Sequence, residues 1–176
     1  MFLKYYTLQI YFIFILLPLL FTCNESAFAP GKIEKTNIIY ETSFESENDF
    51  AGWKSIDTSC WRIDVHPLCG TKSIIISGGC LMPTASYILY SPGYTCSVTV
   101  SCYGKEISGG GTLNLDIGQN IFYGLQLHIQ DTVWKKYETA DTLIWPADTS
   151  LWLTLNAGGI AGAQMLIDSI KVLKVK

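Results

Sequence analysis

Short apolar runs rich in Val, Ile, Thr, Tyr and Trp alternate with clusters of Gly, Pro, Asn, Asp and Ser from about residue 37 onward. The polar clusters recur roughly every ten residues and no stretch keeps a helical period, a pattern that predicts an all-β sandwich or barrel. The clearest predicted strands are Ile38–Phe44, Lys72–Ser77, Thr95–Tyr103, Thr112–Ile117, Leu125–Ile129, Leu151–Asn156 and Met165–Val172. Weaker strand candidates are Trp61–Val65, Ser86–Tyr90 and Lys135–Leu143.

Strict alternation in four of these strands assigns their faces, because successive side chains of a strand point to opposite sides of the sheet. Each of the four has one apolar face, which favours two packed antiparallel sheets. The predicted inward residues are Cys96, Val98, Val100, Cys102, Leu113, Leu115, Ile117, Leu125, Leu127, Ile129, Leu151, Leu153 and Leu155. The predicted outward residues include Tyr103, Asn114, Asp116, Gln126, His128, Trp152, Thr154 and Asn156.

The N-terminal segment differs in composition from the rest of the chain. Lys4 precedes a nearly unbroken apolar run from Ile10 to Leu17, and this order is typical of an export signal. A spanning helix is disfavoured, because Gln9 and Pro18 interrupt the run and a span needs roughly 20 apolar residues. Residues 1–23 are therefore predicted to be an export signal.

The leader ends in Leu20-Phe21-Thr22-Cys23, which resembles the lipobox of bacterial lipoproteins. The resemblance implies lipid on Cys23 and a lipid-anchored protein at the outer membrane or cell surface. Cleavage after Ala29, giving a secreted protein, and an uncleaved anchor stay open as alternatives. Residues 24–36 are polar and predict a flexible tether, and residues 37–176 predict one β-sandwich domain.

Charge and cysteine content narrow the possible partners. Twelve basic and fifteen acidic residues, with Arg62 as the only arginine, argue against nucleic-acid binding.

The six cysteines show no Cys-x-x-Cys spacing, so a zinc site is not predicted. Cys96 and Cys102 share a predicted strand, about 20 Å apart, and cannot bridge each other. Cys60 with Cys69 is the predicted disulfide, with buried free thiols as the alternative.

Catalytic motifs are missing from the sequence. There is no Gly-x-Ser-x-Gly elbow, phosphate-binding loop or His-x-x-x-His pair, and His66 and His128 are the only histidines. The carboxylates have no spacing that indicates the acid pair of a glycosidase. The chain is therefore predicted not to be an enzyme.

A series of short motifs follows in order along the domain. They are Ser43-Phe44-Glu45-Ser46, Gly52-Trp53, Gly70-Thr71-Lys72-Ser73-Ile74, Tyr94-Thr95-Cys96-Ser97-Val98, Ser101-Cys102-Tyr103-Gly104-Lys105, Trp134-Lys135-Lys136-Tyr137 and Leu166-Ile167-Asp168-Ser169-Ile170-Lys171-Val172. This order resembles the jelly-roll carbohydrate-binding modules of the galactose-binding-like superfamily. The resemblance implies a two-sheet antiparallel jelly-roll β-sandwich with non-catalytic glycan binding. A structural or protein-interaction surface domain on the same fold is the alternative.

The same resemblance implies a structural calcium ion. Its acidic ligands would be Glu45, after the first strand, and Asp168, in the last one. The turn that ends in Lys72 would add backbone carbonyls, since calcium takes six to eight oxygen ligands. Alternatively, the two carboxylates only accept hydrogen bonds from backbone groups at strand ends.

The predicted sugar-binding residues are outward aromatic and polar side chains. A pyranose ring stacks its C–H face on an aromatic ring, and its hydroxyls pair with amide, carboxylate or imidazole groups. Tyr103 is the first choice, because many members of the family carry an outward aromatic residue there. The full predicted set is Tyr103, Trp152, Asn114, Asp116, Gln126 and His128.

Other tryptophans have different predicted roles. Trp61 and Trp145 are alternatives that would line a site formed by loops, whereas Trp53 and Trp134 are predicted to fill the core or shield an edge. The sequence leaves open which outward residues share one sheet.

Overall fold

The computed structural model describes residues 37–55, 61–64, 67–78, 85–118, 124–158 and 161–175. The predicted export signal, tether and lipidated Cys23 lie outside these residues. No helix among the described residues has the length and hydropathy needed to cross a bilayer.

The described chain is built almost entirely from strands. The elements are β1 (Ile38–Thr42), α1 (Glu47–Phe50), β2 (Lys54–Ser55), β3 (Trp61–Asp64), β4 (Ser73–Ser77), β5 (Ala85–Leu89), β6 (Cys96–Ser108), β7 (Gly111–Ile117), β8 (Gly124–Ile129), β9 (Lys135–Glu138), β10 (Leu143–Trp145), β11 (Leu151–Ala157) and β12 (Gln164–Val175). Each predicted strand is present, but the weak candidate Lys135–Leu143 divides into β9 and the start of β10. The short elements α1 and β2 were not predicted.

The strands form a two-sheet antiparallel jelly-roll sandwich, which confirms the predicted fold class. In the part of the chain that is described, the first sheet has seven strands in the order β10-β6-β12-β4-β3, with β1 on β12 and β9 on β6. The second sheet has five strands in the order β2-β5-β11-β7-β8. The long strands β6 and β12 pair with each other and hold most of the first sheet together.

The core lies between the two sheets and contains the predicted apolar faces. The inward leucines of β7 and β11 are fully buried, whereas Ile117 at the end of β7 is only half-buried. At Gly104 of β6, an added Cβ would lie 2.9 Å from Ile129 of β8 and 3.4 Å from Ile167 of β12. The two sheets therefore approach closely where β6 has no side chain.

Aromatic side chains cluster around the segment that contains α1 and connects β1 of the first sheet to β2 of the second. Phe44 has a left-handed φ of 61° and is fully buried against Phe50 and Trp53, with ring centroids 5.7 and 6.1 Å away. Trp53 Nε1 donates to the Tyr40 hydroxyl at 2.9 Å, and Tyr87 of β5 stacks on Tyr40 at 4.6 Å. The predicted core position of Trp53 is thereby confirmed.

Two other tryptophans lie at different depths in the structure. Trp145 was an alternative for a loop site, but it is fully buried, and its Nε1 donates to the Thr149 carbonyl at 2.8 Å. Trp134 is half-buried directly before β9, a position that fits the shielding of a sheet edge better than the filling of the core. The side chain of Trp61 lies outside the described residues.

The cysteines combine free thiols with a disulfide. Cys96 and Cys102 are buried and free, which confirms that they do not bridge each other. Burial raises the pKa of Cys102 to about 12. Cys69 is disulfide-bonded. Cys60 lies outside the described residues, so its pairing with Cys69 stays a prediction.

Candidate ligand-binding face

Five of the six predicted sugar-binding residues share the outer face of the five-stranded sheet. Register pairs Asn114 of β7 with Gln126 of β8 and with Thr154 of β11. One row further, Asp116 pairs with Trp152 and with Gly124. In the row on the other side, Thr112 pairs with His128 and with Asn156. The outward side chains therefore form three adjacent rows, and two of these rows carry polar groups on all three strands.

The middle row is a chain of hydrogen bonds. Gln126 Nε2 donates to Asn114 Oδ1 at 2.8 Å, and Asn114 Nδ2 donates to Thr154 Oγ1 at 3.3 Å. Both groups of the Asn114 amide are engaged, so its orientation is fixed. Alternation predicts that Thr154 faces outward, but it does not identify Thr154 as a partner of Asn114. Its role depends on register, which alternation within one strand cannot supply.

Asn114 and Asp116 lie on the predicted side of the sheet, but they are not open to solvent. Their exposed fractions are 7% and 2%. Both belong to β7, which has β11 on one side and β8 on the other, so they lie inside the sheet and not at its edge. Gln126 and His128 on the edge strand β8 are exposed, as predicted.

Asp116 is a buried carboxyl group with an unused acceptor. Its Oδ2 atom has no hydrogen-bond partner, and burial raises its pKa to about 6. Any residue larger than glycine at position 124 would place its Cβ against the Oδ1 atom of Asp116. Glycine at position 124 thus leaves the space that the carboxyl group occupies beside Trp152, which is half-buried.

Tyr103 lies on a different surface from the other five residues. Its neighbours in β6, Cys102 and Gly104, face the core, so Tyr103 points out from the seven-stranded sheet. It pairs with Lys136 of β9 and lies opposite a β-bulge in β12. The full thickness of the core therefore separates Tyr103 from Trp152.

The predicted metal residues meet at the loop 67–72. Asp168 Oδ2 accepts the N–H groups of Leu68 and Cys69 at 2.8 and 2.9 Å. The Glu45 carboxylate accepts the N–H groups of Thr71 and Lys72, each at 3.0 Å. The structure thus contains the contacts of the hydrogen-bonding alternative.

The pKa values of these two carboxyl groups shift in opposite directions. Slight burial opposes the change, but hydrogen bonds from Lys72 N–H and from Thr71 lower the pKa of Glu45. For Asp168, burial raises the pKa and the nearby Glu45 charge raises it further, against the effect of two backbone hydrogen bonds.

The β-bulge in β12 places both Asp168 and Ser169 opposite Tyr103, which lets Ile167 and Ile170 both face the core.

Comparison with known proteins shows the fold. No protein-family model and no curated protein sequence match the chain. The CBM22-1 xylan-binding domain of Xyn10C from Paenibacillus barcinonensis matches with a TM-score of 0.56 and 19% identity, over 80% of this chain and 96% of that domain. The tandem CBM22-1-CBM22-2 domain of the same protein matches with a TM-score of 0.57 and 18% identity, over 80% of this chain and 46% of the tandem.

The mosquito-larvicidal Cry4Aa toxin from Bacillus thuringiensis also matches, with a TM-score of 0.51 and 14% identity, over 69% of this chain and 22% of the toxin. The chain therefore has the jelly-roll fold found in carbohydrate-binding modules. Since a toxin contains the same fold, the likeness does not decide the function.

Asp116 should make stability depend on pH. Its pKa rises from 3.8 to about 6 on folding, so folding favours the protonated form. The stability this contributes is complete below pH 3.8 and is lost as the pH rises through 6. Compared with Asp116→Asn in urea unfolding, the wild type should lose at most about 3 kcal/mol between pH 4 and pH 8.

The exposed Asp148, on the turn before β11, provides the matched control. The stability of Asp148→Asn relative to the wild type gives the baseline for removing a surface carboxylate, and the Asp116→Asn difference is compared with it at each pH. A constant difference for Asp116→Asn would contradict the assigned pKa.

Proposed function

We propose that this chain is a non-catalytic carbohydrate-binding domain that holds a glycan on the outer face of its five-stranded sheet. The observation that carries the proposal is the fixed polar row Thr154–Asn114–Gln126 beside Trp152 and the unpaired Oδ2 atom of Asp116. Sugars present both an apolar ring face and many hydroxyl groups, and this surface offers a partner for each.

The arrangement of donors and acceptors supports a neutral hydroxyl-rich ligand. Gln126 is exposed and its carbonyl oxygen is directed away from the bond that its amide makes to Asn114. The unused Oδ2 atom of Asp116 is a buried acceptor without a partner, and such an atom calls for an explanation. A sugar hydroxyl would satisfy it once the groups that enclose it move aside, because the side chain is 2% exposed. Binding a hydroxyl there would remove the cost of leaving that oxygen unpaired.

The composition of the face supports binding without catalysis. Among the described outward residues of the five-stranded sheet, Asp116 is the one carboxylic acid. Acid–base cleavage of a glycosidic bond by the usual mechanism needs two carboxyl groups on either side of the bond. His128 lies at the opposite end of the three rows from Asp116, separated by the Asn114 row.

Trp152 provides the test of the glycan site. Xylan fragments are the first ligands to try, because the matching domain of Paenibacillus barcinonensis is described as xylan-binding; a glycan array then covers other sugars. Trp152→Ala should weaken binding at least tenfold by calorimetry, since it removes the stacking surface.

Tyr103→Ala is the matched control, because it removes an outward aromatic residue from the opposite sheet. It should leave the affinity within twofold. A loss with Tyr103→Ala and none with Trp152→Ala would move the site to the seven-stranded sheet. Absence of glycan binding together with a stable protein complex would favour the structural or protein-interaction role.

We also propose a calcium ion between Glu45, Asp168 and the loop that ends in Lys72. Burial is the main cause that raises the pKa of Asp168, and the charge of Glu45 adds a smaller upward contribution, which a cation between the two carboxylates would relieve. Within the described residues no group of three His, Cys, Asp or Glu side chains forms a metal cluster, so the other ligands would be main-chain oxygens. The ion would stabilise the loop and take no part in glycan chemistry.

Calcium binding should appear in thermal unfolding. The melting temperature should rise by several degrees on replacing EDTA with millimolar calcium, because a ligand of the folded state stabilises it. Asp168→Asn should abolish the shift, whereas Asp148→Asn should retain it. Identical melting curves in EDTA and calcium would leave the hydrogen bonds as the only role of the two carboxylates.

The proposed location is the cell surface, with a lipid anchor on Cys23. The support is the leader sequence alone. Mass spectrometry of the full chain from the membrane fraction should find a lipidated Cys23 at the N-terminus, and Cys23→Ser should release the protein. An N-terminus at Pro30 without lipid would instead establish secretion after cleavage.

A further inference from the structure

Tyr90 is an exposed aromatic residue that directly follows β5. Its side chain is 81% exposed, the largest value among the large apolar residues that the structure describes. Within the described chain it makes no hydrogen bond, ring contact or ion pair. Tyrosine has few rotatable bonds, so an exposed ring binds a ligand at low entropic cost.

Alternation places Tyr90 on the side of the candidate ligand-binding face. Ala85 and Leu89 of β5 belong to the core, and Ser86 and Ile88 point outward. Tyr90 is two residues beyond Ile88 and therefore falls on the same side. The candidate ligand-binding face therefore extends past the end of β5 to Tyr90.

The register brings Tyr90 close to Trp152. Leu89 pairs with Leu151 and Ile88 with Trp152, so Tyr90 falls beside Ser150 and diagonal to Trp152. Diagonal neighbours on a sheet are typically about 7–8 Å apart, within reach of aromatic side chains. Gly118 N–H donates to the Ser150 carbonyl at 2.9 Å and extends the sheet to this level.

The backbone on both sides of Tyr90 is held in place. Leu89 is buried in the core and paired in the sheet. Ser91 Oγ donates to the Ala147 carbonyl and accepts the N–H of Gly93 at 3.0 Å. The exposed Tyr90 ring is therefore attached to a backbone that is held in place on both sides, as a stacking surface requires.

A second tyrosine in the same loop differs from Tyr90 because its ring contacts another side chain of the protein. Tyr94 is 47% exposed, and the Nζ atom of Lys174 lies 4.4 Å from its ring centroid. This cation–π contact occupies the face of the Tyr94 ring. The corresponding faces of Tyr90 have no such partner among the described residues.

We infer that Tyr90 is a second stacking residue of the ligand-binding face, so that the site takes an oligosaccharide spanning Trp152 and Tyr90 and not a single sugar. The inference rests on the proposed function. One sugar ring would stack on Trp152, near Asp116, and a ring further along the chain would stack on Tyr90. Affinity should therefore increase with ligand length until both rings are covered.

Calorimetry with a length series of the best-binding glycan tests this. For the wild type, affinity should rise from the monosaccharide to the first ligand that covers both rings, and should then stay constant up to the hexasaccharide. Tyr90→Ala should leave the shortest ligands unchanged and weaken the longest about tenfold, whereas Tyr90→Phe should retain the wild-type affinity, because stacking needs the ring and not the hydroxyl. Tyr94→Ala is the matched control and should change neither.

The outcomes separate the inference from the proposed function. If Trp152→Ala abolishes binding and Tyr90→Ala has no effect at any length, the glycan site stands and the role of Tyr90 is wrong. An equal loss at every length would place Tyr90 against the same sugar as Trp152 and would also overturn the inference. If the wild type binds no glycan of any length, the proposed function fails and the inference fails with it. Since Tyr90 is exposed, unchanged melting of Tyr90→Ala verifies that its fold is intact.

Discussion

The pairing of β11 with β7 is the interaction on which both the core and the candidate site depend. One register aligns Leu151, Leu153 and Leu155 with Ile117, Leu115 and Leu113 on the inner face. The same register aligns Trp152 with Asp116 and Thr154 with Asn114 on the outer face. A slip of one residue would move the leucines into water and the amides into the core, so the hydrophobic effect fixes the geometry of the polar surface.

Much of the fold was predictable because its information is local. Alternation along a single strand identifies the inward faces of β6, β7, β8 and β11, and the structure confirms them. The division between β9 and β10 was not predictable in this way, since both pair with the same edge of β6 at different levels. Elements as short as α1 and β2 carry too few residues for any period to be visible.

The candidate site was predictable residue by residue, but not as an arrangement. Alternation placed Asn114, Gln126 and Trp152 outward, yet it could not show that they are neighbours and that Tyr103 is on the other sheet. Those facts depend on strand order, which joins residues far apart in sequence. Burial of Asp116 was not predictable for the same reason, because it depends on the strands on both sides of β7 and on the space that Gly124 leaves for the carboxyl group.

The unpaired thiols of the core bear on how the chain matures. Only a thiolate attacks a disulfide, and a thiol with a pKa near 12 is almost never ionised at neutral pH. Cys102 is also 3% exposed, so an oxidant or a second sulfur cannot reach it in the folded state. Once the sandwich has closed, Cys102 is therefore protected from exchange with the disulfide of Cys69, and scrambling of these sulfurs is restricted to the time before folding is complete.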